Sequence, residues 1–482
     1  MTDYTKTTNF TAKDSLTTGD PNKVVSGAEI DAEFDALATA SASKVDDGAN
    51  STLTSLTGLT TPLTVAQGGS GAATLTDGGV LLGSGTGAVT AMAVLADGEM
   101  IVGDGTTDPV AESGLTLLQS IGVDNLVDKN PIINGDFNSW QEGNPAAALG
   151  NGEDGTYFAD LWAFRENGSP ADEWTITKDT SVPTVAQSGH LSTSSLKAVC
   201  ATDSTGNDSA DATSLRYVIE GYDWQPYAQQ IFTLSFWHKH TVTGTHSVVF
   251  ANSGMNLEYG AEYNQAVTNT WEKAEIAVAA SGSGGTWDYT NGAGLHLNFC
   301  LSAGSTRTFA AASTWADHSG DTTFQHGTDD CVDNASAAGN VFQIAQIKID
   351  KGAVALPFIG RSFNEERIRT NRYLYYIDRT STGQRISQGE CISTTVLDTT
   401  LFYPEGGMRT DPTLDVSAAT DFRASGGTMG TIDGSGIAIA LTGGGSHACR
   451  LRLTCSGLTD GESACIQFDA TSNTFLALDA RL

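Results

Sequence analysis

Basic residues are scarce in this chain: 25 Lys and Arg stand against 56 Asp and Glu, a net charge of -31 at pH 7. Phosphate backbones and anionic lipid surfaces repel such a chain, which excludes nucleic-acid and membrane-surface binding. No Lys or Arg lies between Lys44 and Lys129, and no Lys follows Lys351. Aromatics are missing from the first part too. Residues 1 to 130 hold only Tyr4, Phe10 and Phe34, whereas all eight tryptophans fall between Trp140 and Trp315. There is no apolar run near the ~20 residues that span a bilayer and no signal-like start, so a soluble product made in a cytosol, without membrane insertion, is expected. The seven cysteines form no CxxC pair and are odd in number. Reduced thiols are expected, with no disulfide framework, no metal site and no cofactor.

What is present is glycine, 54 residues of it, with plentiful Thr, Ser and Ala and only 17% charged residues. That usage belongs to β-rich, turn-rich proteins and disfavours a helical bundle. The length of 482 residues predicts two to four domains. The composition breaks place them at 1–46, 47–125, 126–361 and 362–482.

In the first segment Ser26 and Glu29 form a capping-box pattern that opens a helix. Ile30, Phe34 and Leu37 then make one apolar seam, which packs on another domain of the chain or on copies of itself about an axis. In the second segment GVLLGSGTGAV, from Gly79, and MIVGDGTTDPV, from Met100, are two copies of a strand, tight turn and strand unit. Gly83 matches Gly103, Gly85 matches Gly105 and Thr86 matches Thr106. Units with so few large side chains must stack on neighbours or on other chains.

From 126 to 361 short alternating strands are separated by Gly, Asn, Asp and Ser clusters. Phe232, Leu234 and Phe236 share one strand face, as do Leu295, Leu297, Phe299 and Leu301, and the pattern predicts a β-sandwich. Residues 363–377 can form a short helix carrying Ile368, Tyr373 and Tyr376, ahead of a small β domain.

No GxSxG elbow, HExxH pair, Walker loop or dinucleotide fingerprint occurs, and the chain is not expected to be an enzyme. His238 and His240 share a strand face with Phe236, which favours core histidines over metal ligands. Trp162 and Trp174 share faces with Phe164 and Ile176 and are expected in the core. Tyr222, Trp224 and Tyr227, in GYDWQPY, and Trp287 and Tyr289, in GGTWDYTNG, lie instead in turn-rich stretches beside Asp, Asn and Gln. Such rings can stack on the C–H face of a sugar while the polar neighbours take its hydroxyls; equally, they can close the ends of the sandwich or pack between subunits. Trp237, opposite Phe236, is a further and weaker candidate.

Taken in order, the strings YTKTTNFTAKDSLTTGDPNKVVSGAEIDAEF, VAQGGSGAATL, NPIINGDFNSWQEG, VFQIAQIKIDKGAVALPF and FLALDARL resemble bacteriophage tail fibres and related virion fibres. The resemblance implies a virion-anchoring N-terminus, shaft repeats, a jelly-roll domain like a carbohydrate-binding module, and a small C-terminal β domain. It also implies a homotrimer that meets virion tail or neck proteins through its N-terminus and a host surface glycan or protein at its distal end. A head or neck fibre with a mainly structural role, or a tailspike that degrades polysaccharide, are the alternatives. Modules that open with a similar NGDF segment often hold a structural calcium through an acidic residue soon after it and an acidic pair on the last strand. Here Asn138, Ala345 and Gln346 stand in those places, leaving Asp136 as the remaining carboxylate.

Overall fold

A computed structural model describes residues 3–482 apart from 43–59, 104–107, 114–115, 118–119, 122–129, 146, 312, 318–323, 380, 382, 405, 428–429, 441–447 and 470–473. The chain divides into two compact units, Met1–Ser120 and Ile121–Leu482. Among the described residues no helix is long and apolar enough to cross a membrane.

In the first unit the helix Gly27–Ala42 starts where the capping box predicts it. Glu29 Oε2 accepts from Ser26 N at 2.9 Å, and Glu29 N donates back to Ser26 Oγ at 3.4 Å. The carboxylate of Glu33 accepts from Tyr4, Thr7 and Thr8, so the preceding segment is tied to that side of the helix. The seam on the adjacent face is left in solvent, with Ile30 42%, Phe34 64% and Leu37 49% exposed. Farther on, β1 (Leu81–Leu82) pairs with β2 (Thr90–Ala91), and β3 (Met100–Val102) with β4 (Val110–Glu112), both antiparallel. Each repeat is thus a small hairpin whose Leu81, Met100 and Val110 remain exposed. Gly105 and Thr106 lie outside the described residues.

The second unit begins with the sandwich. Its strands are β5 (Trp162–Asn167), β6 (Glu173–Asp179), β7 (Ser195–Thr202), β8 (Ala212–Glu220), β9 (Phe232–His240), β10 (Gly244–Asn252), β11 (Leu257–Gln265), β12 (Glu272–Val278), β13 (Ala293–Ala303), β14 (Thr308–Phe309), β15 (Ala316–Asp317), β16 (Gly327–Thr328) and β17 (Val341–Lys351). One sheet runs β15-β11-β10-β13-β8-β5 and the other β12-β9-β17-β7-β6. Every pairing in both is antiparallel. Alternation puts Leu215, Tyr217 and Ile219 of β8 opposite Phe299, Leu297 and Leu295 of β13, all facing the interior. Phe232, Leu234 and Phe236 face them from β9 in the same core. Trp162 and Trp174 are wholly buried there, as their strand neighbours predict. Phe137 and Tyr217 flank Trp162 at centroid distances of 5.3 and 5.1 Å.

The helix after the sandwich is shorter than the sequence suggests. It spans Phe363–Asn371 and keeps Ile368, but Tyr373 is buried beyond its end and Tyr376 lies on a strand. The aromatic and β-branched run LYYI is captured by sheet pairing, with Tyr376 opposite Ala477. That strand, β18 (Leu374–Asp378), is followed by β19 (Arg385–Ser393), β20 (Val396–Phe402), β21 (Thr413–Val416), β22 (Phe422–Gly426), β23 (Gly430–Ala440), β24 (Ala448–Cys455), β25 (Ser463–Phe468) and β26 (Phe475–Asp479). Six of them close a barrel, β19-β20-β24-β23-β22-β25, over a core that includes Leu397, Phe422, Leu451, Leu453 and Phe468. The other three form the sheet β18-β26-β21.

Barrel and sandwich have separate cores, and polar joints tie the segment after the helix and the end of β26 to the sandwich. The buried carboxylate of Glu220 accepts from Arg372 Nε and Nη2 at 2.9 and 2.6 Å and from the Tyr373 hydroxyl at 2.5 Å. Arg481, near the C-terminus, pairs with Glu142, and its guanidinium lies 4.0 Å from the centroid of the Tyr157 ring.

Candidate functional site

The five loop aromatics named from the sequence come together at one end of the sandwich, but not as a row of exposed rings. GYDWQPY folds into a helical turn, Gly221–Trp224, and a 3-10 turn, Gln225–Tyr227. Gly221 N donates to Gly292 O and Tyr222 N to Thr290 O, both at 2.8 Å, which docks this turn on the loop that carries Trp287 and Tyr289. Glycine is required at 221 because a Cβ would lie 2.6 Å from Asp288 O and Thr290 N.

The docking drives Trp224 inward. At 1% exposure it is a core residue, and Tyr227, at 4%, is another; both depart from the expectation of exposed loop rings. Trp224 stacks between Tyr227 and Trp287, each at a centroid distance of 6.0 Å, and meets Phe232 edge-on at 5.2 Å. Burying so large an apolar surface outweighs the turn-like local sequence. Trp287 is half-buried: Trp224 covers one face, and Trp315, which sequence reading did not single out, stands edge-on at 5.7 Å. The indole N–H groups of Trp287 and Trp315 donate to Gly284 O and Ala279 O, both at 2.7 Å, and so are already used.

What remains at the surface is Tyr222, 55% exposed, with the half-buried Tyr289 and Asp288 beside it on the docked loop. Asp288 Oδ1 accepts from Thr290 Oγ1 at 2.7 Å and Thr290 N at 2.6 Å, and these bonds hold its carboxyl below the usual carboxylate range. An ionised acceptor next to a solvent-facing ring can take a hydroxyl and stack on an apolar face at once. Trp237 is half-buried on the outer face of the other sheet.

A second polar surface went unremarked in the sequence. Along β8 and β13 the residues between the core positions, Arg216 and Val218 opposite Asn298 and His296, line the outer face of the six-stranded sheet. Both amide atoms of Asn298 are buried without a hydrogen bond, as is Arg216 Nε. Among the described residues Arg216 has no carboxylate at ion-pair distance, and burial followed by repulsion from Arg165 pushes its pKa down to about 10. Burial, then Arg216 and Arg165, push His296 down to about 3, so it is neutral at ordinary pH. The alternation LHLNFC was the available signal, but an outward polar residue on a strand ordinarily reads as solvated.

The residues that answer to a calcium site do not fit a hard cation. Asp136 accepts from Asn138 Nδ2 at 3.0 Å and from Ser192 Oγ, and lies 3.3 Å from His190 Nε2. Gln346 directs its NH₂ at Ser188 and Ser192, at 3.1 and 2.8 Å, where a cation would need oxygen ligands. Asp136, Asn138 and His190 line a cleft of about 140 Å³ with Arg361 and Glu366. Among the described residues no three His, Cys, Asp or Glu side chains form a metal-binding group. His238 and His240 are buried, bonding to Gln265 Oε1 at 2.9 Å and to the Tyr263 hydroxyl at 3.1 Å, and His246 packs 4.3 Å from His240.

No protein-family model matches this chain. No curated protein matches it either. Solved structures similar to part of it include the enzymatically active domain of bacteriophage CBA120 tailspike protein 4, at 17% identity and a TM-score of 0.26 over 46% of this chain and 21% of that one. The carbohydrate-binding module TmCBM61 in complex with β-1,4-galactotriose matches at 10% identity and a TM-score of 0.23, over 46% of this chain and 99% of the module. The family 11 carbohydrate-binding module of a Clostridium thermocellum cellulase matches at 10% identity and a TM-score of 0.24, over 44% and 97%. Overlaps this loose transfer no function, and the mainly β architecture stands on the strand pairings themselves.

Proposed function

We propose that this chain is the subunit of a homotrimeric virion fibre that attaches to a host-surface glycan without cleaving it. The observation that carries the glycan reading is the surface group Tyr222, Asp288 and Tyr289, an exposed ring and an ionised acceptor on a loop pinned to a rigid sandwich. The trimer reading draws on the uncovered seam Ile30, Phe34 and Leu37 and on hairpins that leave Leu81 and Met100 in solvent. With a net charge of -31, long-range attraction to acidic polysaccharide is absent, so the ligand is a neutral or amino sugar held by stacking and hydroxyl contacts.

A glycan array of neutral and amino-sugar oligosaccharides tests this with the full-length chain. Tyr222→Ala should lower retention at least tenfold with an unchanged melting temperature, and no reducing ends should be released. Unchanged retention by Tyr222→Ala and Tyr289→Ala would remove the loop from the reading. A second reading, favoured by the unbonded amide of Asn298 and the unpaired Arg216, lays the ligand across the outer face of the six-stranded sheet. In that case Arg216→Ala abolishes retention and Tyr222→Ala leaves it intact.

A further inference from the structure

Two of the seven thiols stand together. Cys300 on β13 and Cys331, just after β16, place their sulfurs 3.9 Å apart, with Cys300 buried and Cys331 half-buried. All seven cysteines are free. Cys200 reaches Thr202 O at 3.1 Å and Cys465 reaches Ser425 O at 3.4 Å, both backbone carbonyls.

The approach of the pair is enforced by its surroundings. Gly327 passes beside both thiols, and a Cβ there would lie 2.9 Å from each sulfur and 3.2 Å from Ser247 Oγ. Any side chain at 327 would displace them. The backbone around Cys331 is pinned on both sides, by Thr328 N to Ser247 Oγ at 3.2 Å, Cys331 N to Thr328 O at 3.1 Å and Val332 N to Thr245 O at 2.7 Å. Asn334 N then donates to Leu301 O at 3.0 Å, on the strand that carries Cys300. The sulfurs need to close by only about 2 Å to bond.

The partners are unequal. Cys331 reaches the surface, and hydrogen bonds from Cys300 first and then from Ser247 hold its thiol below the ordinary cysteine range. The partly exposed thiol of the two is the one an oxidant reaches, and the buried neighbour resolves it.

We propose that Cys300 and Cys331 are a modification site that forms an intramolecular disulfide with a small peroxide as oxidant. The Cys331 thiolate attacks a peroxide oxygen, the O–O bond breaks, and the departing hydroxide takes up the proton that Cys331 shed. Cys300 sulfur then attacks the sulfur of the resulting sulfenic acid. The S–S bond forms, the S–O bond breaks, and hydroxyl leaves as water with the proton of Cys300. Two thiols lose two electrons to one peroxide, and two waters are formed. The cross-link fastens the excursion carrying β14 and β16 to the central strand β13, beside the outer face that holds Asn298.

The test is peptide mapping of the full-length protein after equimolar hydrogen peroxide under native conditions. Two of the seven thiols should be lost, with a mass decrease of about 2 Da and one cross-linked peptide containing Cys300 and Cys331. The melting temperature should rise by several degrees and return when a reductant is added. Cys331→Ser should show neither change, while Cys200→Ser should behave like the parent. Oxygen addition at Cys331 without a cross-link, retention of all seven thiols in excess peroxide, or indiscriminate pairing with other cysteines would each overturn the proposal. Because the mapping is read on the parent chain, it holds even if a variant fails to fold.

Discussion

In the sandwich Trp162, Trp174, Phe236 and Phe299 are wholly buried, whereas in residues 1 to 120 Phe34, Leu81 and Met100 face solvent. The first unit buries just two apolar side chains among its described residues, Ala40 and Leu117. One region completes its own core; the other displays the apolar surface that a folded monomer normally hides. The difference follows from composition, since three aromatics in the first 130 residues cannot enclose a core and eight tryptophans over the next 190 or so readily can. Local rules are obeyed in the first unit too: the Ser26–Glu29 cap and the paired hairpins form as their sequences dictate. Satisfied local rules therefore do not imply tertiary burial.

Separating the two units should break the contrast most completely. Residues 121–482 should unfold in one cooperative transition, while residues 1–120 alone should melt without cooperativity at micromolar concentration, as circular dichroism would record. Cooperative unfolding of a monomeric 1–120 fragment would show that it closes a core after all.

Single substitutions should give the next largest effects, and with opposite character. Trp162→Ala should cost ~3 to 5 kcal/mol of sandwich stability, as large-to-small core changes do, measured by denaturant unfolding. Trp224→Ala belongs with it, since that ring is equally buried. Phe34→Ser should leave that transition in place, because the exposed ring belongs to no core, and under the proposed trimer it should lower the mass seen by sedimentation.

Acid should separate the units again. Burial pushes His246 down to about 4, and burial with nearby arginines pushes His326 and His296 down to about 3. Burial also lowers His238 and His240. Their folded pKa values lie below the unfolded value near 6.5, so the unfolded chain binds more protons between the two. Stability is full above pH ~6.5 and declines as pH falls toward 4 and then 3, by about 3 kcal/mol for His246 alone. Melting temperature against pH checks this, and a flat profile from pH 7 to 4 contradicts it. Residues 1–46 contain no histidine and add nothing to this histidine-driven decline; their Glu33, held down to about 2 chiefly by the Tyr4 hydrogen bond, adds a loss only below its unfolded value near 4.5.

The smallest effect concerns the joint between the sandwich and the segment leading into β18. Glu220→Gln removes the charge that receives Arg372 and Tyr373, and should destabilise by ~1 to 3 kcal/mol, discounted because Arg372 is itself 34% exposed. If the melt then resolves into two steps, the two cores are coupled through this carboxylate.

By itself the sequence determined the properties that repeat over a few residues. Period-two alternation put Phe232, Leu234 and Phe236 on the buried face of β9 and Leu295 to Leu301 on that of β13, and the cap placed the helix start at Ser26. These were legible because strand faces and helix caps depend on neighbours two to four residues away. Tertiary structure decided what depends on segments distant in the chain. Trp224 and Tyr227 are buried because their turn docks on a loop some sixty residues later. Tyr376 joins a strand because β26, a hundred residues on, pairs with it. Asn298 is enclosed on a face that its alternation marked as outward, and Cys300 meets Cys331 only because the chain returns across that same face at Gly327. Such contacts form when the free energy of burying a large surface exceeds the entropy of closing a long loop, and no local pattern encodes that balance.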